Sequence, residues 1–120
     1  MFKADDYRLK IKDLEETLGE AKYALDIDNR YEQLKKLKEE QEDPAVWQDL
    51  ERSAKIGREI SSIEGKISSY EKGRKALDDA GEIIDLIEET GEEELVPELD
   101  KMMSAAEKDI EDMRIRAILK

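Results

Sequence analysis

The 120 residues suit one ordinary domain, and a makeup of 45% charged and 38% hydrophobic residues, with six glycines and two prolines, points to long solvated helices. The net charge of −12 argues against autonomous nucleic-acid binding, because phosphate affinity comes from clustered Lys and Arg and here these are scattered among carboxylates. No run approaches the ~20 apolar residues that span a membrane, no apolar signal core stands near the start, and the lack of cysteine fits a cytoplasmic location.

Met1 to Asp6 is a polar lead-in in which Asp5 or Asp6 can cap the first helix. Tyr7, Ile11, Leu14, Leu18, Ala21 and Leu25 then alternate steps of four and three, a heptad seam along one helix face. Gly19 weakens that helix by about 1 kcal/mol relative to alanine and marks either a close neighbour or an early end. The pattern breaks over Asp26 to Asn29, and Asn29 with Glu32 resembles a capping box. A second helix continues to about Glu42, with Tyr31, Leu34, Leu37 and the stem of Lys38 on its buried side. Residues 1–42 read as a helical hairpin, or as one bent helix with a kink near Asp28.

Residues 43–49 form a Pro/Trp turn. Asp43-Pro44 is a helix start, a carboxylate cap before a ring-locked φ, and the residue before proline is pushed out of the α region. From about Asp49 a long pattern runs through Ile56, Ile60, Ile63, Ile67, Tyr70, Arg74, Leu77, Gly81 and Ile84, with Arg74 and Gly81 as defects. Ile83, Leu86 and Ile87 widen its apolar face. A helix over 50–90 is about 60 Å long, and Gly91 is a good stop. Glu92 to Glu94 suit the next helix start, and Pro97 belongs in or before its first full turn. The last helix, over 92–120, presents Leu99, Met103, Ala106, Ile110, Met113 and Ala117, and its uncapped run to Lys120 looks cut from something longer. The fold class is all-α: an elongated antiparallel, coiled-coil-like bundle of about four helices, one of them very long. The tight turn at Gly91 favours a monomer over a homodimeric coiled coil.

Reactive chemistry is missing. With no histidine and no cysteine, the commonest general base, most transition-metal sites and thiol nucleophiles are excluded. Asp26-x-Asp28 begins like a calcium loop, but Arg30, Tyr31 and Leu37 stand where an oxygen ligand, the turn glycine and the bidentate glutamate belong. Glu15-Glu16, Asp78-Asp79 and Glu88-Glu89 read as solvated helix faces, and no glycine-rich phosphate loop is present. We therefore expect no catalytic residue, no metal site and no cofactor. The candidate partner contacts are Trp47, Arg114 and Arg116. Trp47 reads first as a plug at a bundle end and second as an exposed anchor. Arg114, Arg116 and Lys120 make a basic end that reads first as favourable placement at a helix C-terminus and second as a specific contact with RNA or a following domain. Met102, Met103 and Met113 read first as core packing and second as an adaptable groove.

The run Asp43-Pro44-Ala45-Val46-Trp47-Gln48-Asp49, followed by Ser53-Ala54-Lys55 and Glu59-Ile60-Ser61-Ser62-Ile63-Glu64, resembles the bacterial peptide chain release factor 2 family. Tyr23-Ala24-Leu25-Asp26 and Arg30-Tyr31-Glu32-Gln33-Leu34 sit where that family has similar segments, so the likeness covers roughly residues 9 to 120. The resemblance implies a parent that recognises UGA and UAA codons on the ribosome and triggers hydrolysis of peptidyl-tRNA. The family's Ser-Pro-Phe and Gly-Gly-Gln strings are absent from this chain, so no codon-reading or catalytic role passes to any residue. What it implies for these residues is the amino-terminal helical domain, directed toward the ribosomal stalk base and a release-factor-recycling GTPase. The rival readings are a free-standing acidic coiled-coil adaptor whose likeness is shared heptad composition, and an RNA-binding helical protein.

Overall fold

The structure, a computed structural model, describes residues 1–119, and all their regular structure is helical. In chain order the helices are α1 (Ala4–Ala24), α2 (Ile27–Gln41), the single turn α3 (Pro44–Trp47), α4 (Leu50–Thr90) and α5 (Val96–Leu119). A 3-10 turn at Glu93–Leu95 precedes α5. The molecule measures 64 × 27 × 18 Å with a radius of gyration of 19.0 Å, where a compact chain of this length has about 14 Å. The elongation comes from α4, whose 41 residues span about 60 Å at the α-helical rise. Among the described residues no helix is long and apolar enough to cross a membrane.

The other helices lie along α4 in turn. Arg8 of α1 pairs with Asp85 and Glu88 at 2.8 and 2.7 Å, and Glu15 pairs with Arg74 at 3.0 Å. Tyr31 of α2 donates to Glu71 at 2.6 Å, Lys38 pairs with Glu64 at 3.4 Å, and Glu40 with Arg52 at 3.2 Å. As α1 and α2 advance, their partners recede along α4. Residues 1–42 are therefore a bent rod antiparallel to α4 and not a hairpin. The bend is at Asp26, whose φ of 54° is left-handed. Leu25 and Ile27, on either side of it, are both buried and hold the rod against α4. The expected capping box is not formed, because α2 starts at Ile27, ahead of Asn29, whose amide donates to the Asp26 carboxylate at 3.1 Å. Asp5 and Asp6 do not cap α1 either; they lie inside its first turn, after Lys3 at the cap position, where negative charge is favourable.

Helix α5 returns antiparallel to α4 and parallel to α1. Tyr7 donates to Asp100 at 2.6 Å and Lys10 to Glu107 at 3.2 Å. Together α1, α5 and the C-terminal half of α4 make a three-helix base. All six positions expected on the buried face of α5, from Leu99 to Ala117, are buried, Met103 and Met113 among them. On α4 the seam holds through Ile56, Ile60, Ile63 and Ile67, then continues as Gly73, Leu77, Ala80, Ile84 and Ile87. Gly73 and Ala80 thus replace the expected Arg74 and Gly81. Alternate positions of the seam shift by one residue, while Leu77 and Ile84 keep theirs, where α2 gives way to α1 and α5 as partners. A methyl group on Gly73 would lie 3.2 Å from Leu18 Cδ1 and 3.4 Å from Ile110 Cγ1, so this is the glycine that admits close approach. Gly19 has nothing within 4 Å of that kind, and α1 continues through it. Gly91 ends α4 with a φ of 72°.

Candidate docking tip

At the end remote from the base, α2 and the start of α4 form a two-helix arm closed by α3. Asp43 accepts a hydrogen bond from the Ala45 N–H at 3.0 Å, and Pro44 supplies the first helical residue with its φ already set. Asp49 caps α4 in the same way, accepting from the Arg52 N–H at 3.2 Å. Two caps within seven residues fix the turn between them. They direct Val46 inward, where it is 0% exposed and packs with Ile56, Ile60, Leu34 and Leu37.

Trp47 comes after Val46 by about 100° of helical rotation, and this carries it out of the core. It is 53% exposed, so the plug at this end is Val46 and the expected buried position of Trp47 is corrected. Its indole N–H donates to the Glu42 carbonyl at 3.2 Å, which orients the ring and leaves an apolar surface facing solvent. Leu50, the first residue of α4, is 82% exposed. Sequence reasoning missed Leu50, although it stands off the Ile56–Ile60 register directly after a capping aspartate.

Arg114 and Arg116 are not at this tip. Arg114 makes a two-point contact with Glu111 on its own helix, at 3.0 and 2.7 Å. That contact raises the pKa of the guanidinium and lowers that of the Glu111 carboxyl. Arg116 donates to Ser69 Oγ at 3.1 Å, which places it about 30 Å along α4 from Leu50. The three expected contacts therefore occupy two separate surfaces. Lys120, expected to extend the basic end, lies outside the described residues. At the far end of the base an open groove of ≈ 690 Å³ runs past Phe2, Tyr7, Val96 and Pro97. Among the described residues no group of three or more carboxylates gathers as a metal site.

The PCRF domain matches residues 30–120, from early in α2 onward. The chain belongs to the PCRF domain family. This PCRF chain is similar to the peptide chain release factor 2 of Mycobacteroides abscessus, with 32% identity over 114 residues, covering 95% of this chain and 31% of that protein. The peptide chain release factor 2 of Mycobacterium avium is 32% identical over 116 residues, with the same coverage, and that of Salinispora tropica is 29% identical over 114. The PCRF chain thus spans about a third of the length of the curated relatives it matches, 31% in each case. Membership in the family sets aside the reading in which the likeness is heptad composition alone.

Proposed function

We propose that this PCRF chain is a non-catalytic docking and positioning arm of a translation-termination factor acting at UGA and UAA codons. The observation that carries the reading is the similarity to peptide chain release factor 2 over 95% of the chain, from α1 to α5. The helical rod supports it physically: a 64 Å body can reach from a base to a distant ribosomal surface. Its side-chain chemistry suits contact and not bond breaking, since histidine and cysteine are absent and the carboxylates lie on solvated helix faces. On this reading the arm works as a monomer in the cytoplasm and meets the stalk base of the ribosome and a GTPase that recycles release factors. Trp47 at the tip and the Arg114–Arg116 surface are its candidate contacts. The test compares a full-length release factor carrying these residues with the same factor lacking them, measuring ribosome affinity and the rate of peptide release. Weaker binding or slower release is expected; unchanged values for both would sink the reading.

A further inference from the structure

The tip carries two properties that seldom coincide on a solvent-facing surface. Trp47 and Leu50 are exposed across a turn fixed by two caps, so a partner meets an apolar pair that needs little ordering. Around them, Glu39 to Glu51 contains six carboxylates and no Lys or Arg. Of the flanking cations, Arg52 is paired with Glu40 and Lys38 with Glu64, and Lys35, Lys36, Lys55 and Arg58 stand one to two turns back from the tip along α2 and α4. Glu39, Glu42 and Glu51 are exposed, and among the described residues none is held in an ion pair. The base is acidic too: there Asp85 and Glu88 pair with Arg8 and Asp100 accepts from Tyr7, while Glu82, Glu89 and Glu94 are exposed and, among the described residues, in no ion pair, so they serve as the comparison.

We infer that the tip docks a basic protein surface, one that offers an apolar recess to Trp47 and Leu50 with Lys or Arg around its rim. Tryptophan is among the commonest anchors of protein interfaces, and rim charges of opposite sign steer and orient the encounter. The same carboxylates repel a phosphate backbone, so this end selects protein over RNA. The inference deepens the docking reading and rests on it for biological setting, while its chemistry is tested without the ribosome.

Trp47 is the single tryptophan, so its emission reports on this end alone. The probe is a synthetic amphipathic peptide of lysine and leucine, titrated against the 120-residue chain. Three carboxylates are neutralised at the tip (Glu39→Gln, Glu42→Gln, Glu51→Gln), and a control neutralises three likewise exposed ones of the base (Glu82→Gln, Glu89→Gln, Glu94→Gln). The expected result is a shift of Trp47 emission on binding, weakened by salt, with about tenfold lower affinity for the tip variant than for the control. Equal losses in the two variants, or binding that leaves Trp47 emission unmoved, would overturn the inference. A duplex RNA that shifts the emission as strongly would also overturn it. A positive peptide result beside unchanged ribosome binding would condemn the ribosomal reading and leave the tip chemistry standing.

Discussion

Val46 and Trp47 are neighbours in sequence and face opposite environments: Val46 is sealed beneath α3 while Trp47 stands half out of it. The costs of truncating them should run in the order opposite to their sizes. Val46→Ala removes two buried methyl groups and should cost about 2 kcal/mol. Trp47→Ala should cost about 1 kcal/mol or less, as at other surface positions. Urea unfolding followed by circular dichroism decides it; a larger loss from Trp47→Ala would put the indole in the core.

Two glycines of α4 should respond to alanine with opposite signs. Around Gly81 nothing lies within 4 Å of an added Cβ, so Gly81→Ala should stabilise by about 0.5–1 kcal/mol through helix propensity. Gly73→Ala gains the same propensity but presses on Leu18 and Ile110, both almost fully buried, and should be net destabilising. Thermal melts of the two variants provide the comparison, and a stabilised Gly73→Ala would show that Leu18 yields.

Much of the base was legible in sequence, and the reasons are local. The Leu99 to Ala117 face keeps one set of partners along α5, so its spacing alone marks the buried stripe. The slip to Gly73 was not legible, because it depends on Leu18 and Ile110 from two other helices. Asp26 adopts a left-handed conformation that aspartate tolerates without requiring it, so the pattern break over Asp26 to Asn29 located the kink while the residue that makes it was not readable. At the tip the Asp-Pro start was plain. Which of Val46 and Trp47 faced inward depended on how a single turn docks on Leu34, Leu37, Ile56 and Ile60. The Arg114–Glu111 pair is a three-residue step on one helix; the Arg116–Ser69 contact joins two helices and leaves no local sign.

Alkaline solution should loosen the molecule through two tyrosines. The hydrogen bond to Asp100, followed by burial, pushes the Tyr7 pKa from 10.0 up to about 12, and Glu71 does the same for Tyr31. Both folded values exceed the unfolded one, so the stabilisation is complete below pH 10.0 and disappears as pH rises through about 12. Melting temperatures should fall over that window in the parent chain. The double variant Tyr7→Phe, Tyr31→Phe should fall less steeply, and identical slopes would refute the assignment.

On the acid side the relevant contact is Arg8 with Glu88. The Arg8 hydrogen bond holds the Glu88 carboxyl below the usual carboxylate range. A depressed folded value gives stability that is present above the unfolded pKa and is lost as pH falls through the folded one. Arg8→Met should therefore flatten the acid limb of the melting curve and leave the alkaline limb as it was. An unchanged acid limb would show that solvent screens the contact completely.

The cap at Asp49 should matter to α4 more than to the base. Asp49→Ala leaves the Arg52 N–H without its partner and should cost about 1 kcal/mol. Amide hydrogen exchange should quicken in the first turn of α4 and stay slow around Leu77 and Ile84. Uniform quickening would mean that arm and base unfold together.

The break at Asp26 lies beside an α4 that is continuous from Leu50 to Thr90, so the two sides of the rod differ as mechanical members. One side is an unbroken beam and the other is jointed. Bending that makes the jointed side convex only opens the gap between α1 and α2, whereas the opposite bend drives their ends together. The body should thus flex in one preferred sense, and a tilt of about 5° at the joint would carry the far end by about 3 Å over the ~30 Å beyond it.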